Sequence, residues 1–347
     1  MQIEIERLAL QLENPFTLSY GTSTVRENVV VRISDRQVTG LGEAAVVPYY
    51  HETPERVIRY ATDPATRAAL GENPLWLEDA LDRLPPADSM PARAALDMAL
   101  HDLWGQHLGQ PLYRLWGLNP ARSPHSSFTV AMASDEAAYR AQVRAVSDAG
   151  YSLIKLKLGS SSIERDLGLV QMARAETGAA LCVDANGGWS AADALAIMPR
   201  LAALGVRFVE QPVARDDWDG WRALRAGLPP DALPVIADES VQGVASVLPL
   251  AGLADGINIK LAKCGGLRAA RQMIAQARAC GMQVMIGCMV ESSVAVTAAA
   301  YLAPLADYAD LDGNLLVTND PYRGVRLDAG RLILPDAPGL GVAPHAA

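Results

Sequence analysis

Three lysines and three carboxylates stand out in this 347-residue chain because each closes or interrupts a short apolar run: Lys155, Lys157 and Lys260, and Asp184, Glu210 and Asp238. In Ile154-Lys155-Leu156-Lys157-Leu158 a strand puts alternate side chains on one face, so both ammonium groups point one way and the aliphatic residues the other. An amine facing an interior loses hydration and deprotonates unless a carboxylate compensates; the alternative is an edge strand with its lysines in water. Asp184, Glu210 and Asp238 end three successive runs, where they would repel one another without a cation. A hard divalent ion that prefers oxygen, Mg²⁺, relieves that repulsion and leaves coordination positions open. Any single one of these carboxylates could instead cap the helix that follows it. Lys260 lies across the ring from Lys157, whereas Lys263 has the opposite parity and is the less expected of the two to enter the barrel. Asp310 and Asp312 share a face by the same period of two, suited to one cationic group; a turn with both aspartates in water is the alternative.

The elements that position these groups read as eight strands. HSSFTVAMA (125–133), SLIKLKLG (152–159), ALCVDAN (180–186), RFVEQP (207–212), PVIADES (234–240), GINIKLAK (256–263), QVMIGCM (283–289) and YADLDGN (308–314) alternate with Ala- and Leu-rich stretches of helical period, such as Ile163 to Glu176, Ser190 to Leu204 and Leu267 to Cys280. Strand and helix in strict alternation predict a parallel sheet. Eight such strands fit a closed α/β barrel, whose reactive groups gather at the carboxyl ends of the strands, and the charged residues sit at those ends. An open doubly wound sheet competes, but no glycine-rich dinucleotide turn follows the first strand.

Residues 1–120 read as an α+β domain: MQIEIERLALQL and NVVVRIS alternate as strands and Ala94 to Trp104 is helical. Residues 121–318 form the barrel, and 319–347, with the short runs of GVRLDAGRLILP, return to the first domain. The formal charge of −9 and pI near 5.1, with no basic block, argue against nucleic acid or an anionic membrane as partner and favour a small molecule. Cys182, Cys264, Cys280 and Cys288 lack metal-type spacing and are expected to be reduced, buried thiols. No signal-like start and no run of eighteen apolar residues occurs, so a soluble cytoplasmic protein is expected.

In order along the chain, Lys155-Leu-Lys157, Asp184-Ala-Asn, Glu210-Gln-Pro, Asp238-Glu-Ser and Asn258-Ile-Lys260 resemble the motifs of the enolase superfamily, muconate-lactonizing enzyme subgroup, and within it the dipeptide epimerases. The resemblance covers nearly the whole chain. It implies a modified TIM barrel, (β/α)7β, with an N-terminal α+β capping domain completed by the C-terminal segment. It further implies Mg²⁺ held by Asp184, Glu210 and Asp238, and a 1,1-proton transfer through a metal-stabilised enediolate. Lys157 and Lys260 would be the two bases, on opposite faces of the α-carbon, with Lys155 lowering the pKa of its neighbour. Asp310 and Asp312 match the pair that binds the α-ammonium of a dipeptide, and Met289, in Gly287-Cys-Met-Val-Glu291-Ser, would line the pocket. The relatives that act on Ala-Glu carry a cap-loop arginine; Ser19-Tyr20-Gly21-Thr22-Ser23 has none, and Arg26 falls at another register. Tyr20, Tyr49, Tyr50 and His51 give the cap loops an aromatic, uncharged character, so a neutral or hydrophobic C-terminal residue is expected over Glu. His51, an isolated loop histidine, is expected to be hydrogen-bonded or exposed rather than a base. Other members of the subgroup, o-succinylbenzoate synthase with N-acylamino acid racemase activity or a cycloisomerase, share the lysines and metal. A catalytically silent binding protein on the same scaffold is the reading from another class. The expected partner is a small dipeptide, and a homo-oligomer is compatible with the sequence.

Overall fold

A computed structural model describes residues 1–18, 21–132 and 135–345. Strands β1 (Gln2–Leu18), β2 (Gly21–Ser34) and β3 (Thr39–Ala44) form an antiparallel sheet with β2 in the middle. Both faces of β2 are covered over Val29, Val30 and Val31, which form a continuous apolar run. Val29, Val31 and Ile33 pack with Leu96 and Leu100 inside the capping domain, while Val30 joins Leu8 and Leu10 in the main core. The helix Met90–His107 crosses β3. Its approach is close enough that a Cβ on Gly42 would lie 1.9 Å from the Ala95 carbonyl, so that position excludes any side chain. Ser89 starts the helix by accepting the Ala92 N–H.

The barrel strands are β4 (Phe128–Val130), β5 (Leu153–Lys157), β6 (Ala180–Asp184), β7 (Val206–Glu210), β8 (Val235–Ala237), β9 (Gly256–Lys260), β10 (Gln283–Gly287) and β11 (Tyr308–Asp310). They are parallel and neighbour one another in chain order. A parallel bridge between Ser126 and Ala309, with Ser127 N–H donating to the Ala309 carbonyl at 2.9 Å, brings the first strand back to the last. Each of the eight expected runs coincides with one strand, β7 beginning one residue earlier, at Val206. The helices Ile163–Glu176 and Ala191–Ala203 start at Ser162 and Ser190, whose hydroxyls accept the N–H groups of Arg165 and Asp193. The helix Leu267–Ala279 starts at Gly266, which has no side chain to offer. Asp97 of the capping domain takes that place, accepting the Leu267 N–H at 2.6 Å.

Beyond residue 318 the chain touches both parts of the molecule. Asn319 donates to the Ala9 carbonyl at 2.8 Å, and Leu340 N–H to Asp102 Oδ1 at 2.7 Å, while Val325 N–H donates to Thr297 Oγ1 on a barrel helix at 2.8 Å. All four cysteines are free; Cys182, Cys264 and Cys288 are buried, but Cys280, at the end of an outer helix, is exposed. Among the described residues no helix is long and apolar enough to cross a membrane.

Candidate active site

Parallel register carries the charged residues to one level. Lys157 pairs with Asp184 and Asp184 with Glu210 across β5, β6 and β7; on the far side Lys260 pairs with Gly287 and Gly287 with Asp310 across β9, β10 and β11. Asp238 follows directly after β8. Gly287 leaves room at this level for Asn258, since a Cβ there would lie 2.6 Å from the amide oxygen. Asn258 in turn donates to Glu210 Oε1 at 2.8 Å.

The resulting network is almost dry. Lys155, fully buried, has Nζ 2.7 Å from Glu210, 2.8 Å from Asp310 and 3.1 Å from Asp184. Lys157 is 2.7 Å from Asp184 Oδ2, and Lys260 is 2.8 Å from Asp238 Oδ2. Lys263 also reaches in, bonding both the carboxylate and the carbonyl of Asp238. Its expected outward parity fails because β9 stops at Lys260 and Leu261–Cys264 is a helical turn, which rotates Lys263 back toward the ring. Asp310 accepts from Ser127 Oγ at 2.6 Å, and Asp312 accepts the Thr129 N–H at 2.6 Å.

Ligand oxygens of Asp184, Glu210 and Asp238 lie within 4.8 Å of one another, and all three residues are buried. Counting Glu239, Asp310 and Asp312 with them, six carboxylates face the four ammonium groups of Lys155, Lys157, Lys260 and Lys263. The excess of negative charge raises Glu239 and Asp312 along with Glu210, and a bound cation would relieve it. Burial and then the Asp184 charge push Glu210 up to about 8, so one ligand carboxyl holds a proton when no further cation compensates it. For Asp184 burial acts upward but Lys157 and Lys155 outweigh it and hold it at about 2; Lys260 and Lys263 do the same for Asp238, well below the usual range. An all-oxygen anionic set of this shape fits a hard divalent cation. Lys155 stays charged: burial acts downward, but Asp310, Glu210 and Asp184 raise its pKa well above the ordinary value. For Lys260 burial also acts downward, and Asp238 reverses it to leave the amine raised rather than near neutrality.

A cavity of about 600 Å³, counted out to bulk solvent, opens over this network, with Lys157, Lys260, Asp310, Asp312 and Met289 in its wall. The capping domain closes it with Val47, Tyr50 and Arg26. Arg26 was expected out of register; β1 and β2 pair as Leu10 with Arg26 and Gln11 with Val25, and that register brings it to the wall. His51 is exposed and does not line the cavity. Tyr20 lies outside the described residues. Sequence patterns did not single out Asn186 or Glu239, which also line the cavity and are joined by a 3.0 Å hydrogen bond from Asn186 Nδ2 to Glu239 Oε1. Their place directly after two ligand motifs was the available signal.

The barrel, closed by the Ser126–Ala309 bridge and capped at its mouth, carries an acidic triad with lysines on opposite walls. The chain belongs to the enolase superfamily, in the mandelate racemase and muconate lactonizing enzyme family: residues 2–117 match its N-terminal domain and residues 138–347 the enolase C-terminal domain-like family. It is similar to an L-Ala-D/L-Glu epimerase of Bacteroides thetaiotaomicron, 39% identical over 96% of this chain and 85% of that one. Among solved structures it is similar to a substrate-liganded L-Ala-D/L-Glu epimerase of Bacillus subtilis (TM-score 0.92, 30% identity, 100% of this chain and 99% of that one). A dipeptide epimerase of Enterococcus faecalis V583, complexed with Mg and L-Leu-L-Tyr, superposes at a TM-score of 0.91 with 30% identity over 99% of both chains. The relatives include epimerases and an N-succinyl-L-Arg/Lys racemase of Bacillus cereus, and the chain is an isomerase.

Proposed function

We propose that this chain epimerises dipeptides, L,L to L,D, by 1,1-proton transfer at the α-carbon of the C-terminal residue, with Mg²⁺ on Asp184, Glu210 and Asp238. The observation that carries this reading is the pair Lys157 and Lys260, on strands β5 and β9 four places apart in an eight-stranded ring, with the triad between them. Bound Mg²⁺ supplies a fixed positive charge against the substrate carboxylate, which takes up the charge released when the α-proton leaves. One lysine accepts that proton as a neutral amine, the electron pair of the C–H bond remains on the substrate, and the ammonium of the other lysine returns a proton from the opposite face. For this, Lys157 and Lys260 must exchange their pairing with Asp184 and Asp238 for the substrate. Lys155 remains a buried cation beside them.

Asp312 is the first candidate for the dipeptide's ammonium group, because Asp310 is already engaged by Lys155 and Ser127. An N-acylamino acid racemase would have no ammonium to place there. For the C-terminal side chain the aromatic, uncharged cap loops support a neutral or hydrophobic residue. Arg26 on the cavity wall favours a second reading, an anionic side chain paired with a guanidinium. Deuterium incorporation across a dipeptide library in D₂O with Mg²⁺ tests all of this. Epimerisation of dipeptides but not of N-acylamino acids is expected, and the ratio of kcat/KM for L-Ala-L-Leu and L-Ala-L-Glu decides between the two side-chain readings. Exchange on N-acylamino acids alone would overturn the dipeptide assignment.

A further inference from the structure

The cavity has a cap wall and a barrel wall, and three buried polar residues that take no part in the proton transfer tie the two together. Asn28 on β2 is 1% exposed, Glu43 on β3 is 1% exposed and Ser292, between β10 and the helix Ser293–Ala300, is fully buried. Asn28 uses both ends of its amide, the oxygen within the capping domain and the nitrogen across the domain boundary. Its oxygen accepts the Val46 N–H at 3.1 Å, just before Val47 of the cap wall, and its nitrogen donates to the carbonyl of Val290, next to Met289 of the barrel wall, at 3.1 Å. The same nitrogen donates to Glu43 Oε1 at 2.8 Å.

Glu43 reaches out of the capping sheet to the start of a barrel helix. Its carboxylate accepts the Ser292 hydroxyl at 2.5 Å, the Ser292 N–H at 3.0 Å and the Ala295 N–H at 3.3 Å. Every one of these partners is a donor, and a helix N-terminus favours an anion. Burial raises both Glu43 and Glu291 alongside it, and on Glu43 the donors of Ser292, Asn28 and Ala295 act against that rise. A buried network with this many satisfied partners specifies one arrangement of the elements it joins.

We propose that Asn28, Glu43 and Ser292 form an interdomain clamp that sets the width of the substrate cavity, holding Val47 of the cap against Met289 and Val290 of the barrel. They are positioning residues: they touch no reacting atom and act through those apolar walls on the substrate side chain. The proposal rests on the dipeptide reading for the identity of that side chain, and on the geometry alone for the clamp.

Two measurements test it and separate the two layers. Hydrogen–deuterium exchange needs no substrate: Asn28→Ala should raise exchange in residues 44–50 and 287–292 together, with the barrel strands β5 to β7 unchanged. Unchanged or uniformly raised exchange overturns the clamp. Kinetics with L-Ala-L-Ala and L-Ala-L-Leu then read its consequence. Ser292→Ala, a milder change that leaves both backbone bonds to Glu43 possible, and Asn28→Ala should raise KM about tenfold or more for L-Ala-L-Leu while kcat moves less than threefold, and should change the ratio of kcat/KM between the two substrates. The Mg²⁺ dissociation constant should stay within twofold of wild type, and Ser292→Thr, which keeps the hydroxyl, should recover part of the KM. A lower melting temperature with KM and the substrate ratio unchanged would show a purely structural role. Wild type inactive on every dipeptide would overturn the functional reading and leave the exchange result to judge the clamp.

Discussion

Replacing Lys155 by Met probes the electrostatics of the site without touching either proposed base. The lysine is fully buried with three carboxylates within 3.1 Å. Met has a comparable stem and no charge, so the loss is that of the ammonium. Asp184 keeps Lys157 and Asp310 keeps Ser127, but Glu210 Oε2 loses its cation and retains only Asn258 on the other oxygen. Removing one partner from a buried ion cluster costs about 3–5 kcal/mol. The variant's carboxyls then hold protons in the folded state at pH values where the unfolded chain, with ordinary carboxyl pKa values near 4, has released them. Stability therefore falls as pH rises, and the deficit against wild type should be larger at pH 8 than at pH 5. Mg²⁺ acts the other way: at a hundred times its dissociation constant it stabilises the folded state by about 2.7 kcal/mol, and the variant, with one more uncompensated negative charge, should gain at least as much as wild type. Urea unfolding at the two pH values with and without Mg²⁺ supplies all four numbers. A loss below about 1 kcal/mol, or a deficit that widens in Mg²⁺, would refute the charge count on which the site was built.

Asp184→Asn, Glu210→Gln and Asp238→Asn should each abolish turnover and lose most of the Mg²⁺-dependent rise in melting temperature seen in wild type; equal rises in all four proteins would contradict the ligand assignment. Asp102, pushed up to about 6 by burial, gives a pH signature far from the chemistry. Between about pH 4 and pH 6 the folded carboxyl holds a proton that the unfolded one has lost, so stability should fall with rising pH across that window by as much as roughly 3 kcal/mol. Asp102→Asn, left with one acceptor oxygen for the N–H groups of Leu41 and Leu340, should be less stable overall and lack that slope in urea midpoints at pH 4.5 and 7; a slope as steep as that of wild type would assign it elsewhere.

The barrel was legible because each strand is a short apolar run and most end in a charged residue, a pattern that survives without any tertiary information. Period-two reasoning was right inside β5, where Lys155 and Lys157 share the interior, and failed one residue past β9, where the helical turn Leu261–Cys264 brings Lys263 onto Asp238. Asp312 shows the same boundary: β11 stops at Asp310, and Asp312 precedes the tight turn Gly313–Leu316, held by Thr129 rather than by strand geometry. That Arg26 lines the cavity was not legible, because its position depends on the pairing register of β1 and β2, which joins it to Leu10. The contact of Glu43 with Ser292 joins residues 249 apart, and nothing in either neighbourhood marks them as partners.

If Lys157 and Lys260 address opposite faces of one α-carbon, single-base variants separate the two. With Mg²⁺ in D₂O, wild type should exchange and epimerise both isomers of a dipeptide substrate. Lys157→Ala and Lys260→Ala should each lose epimerisation in both directions yet retain α-proton exchange on one isomer only, a different isomer for each variant. Exchange lost from both isomers in both variants, or retained on the same isomer in both, would contradict the two-base arrangement.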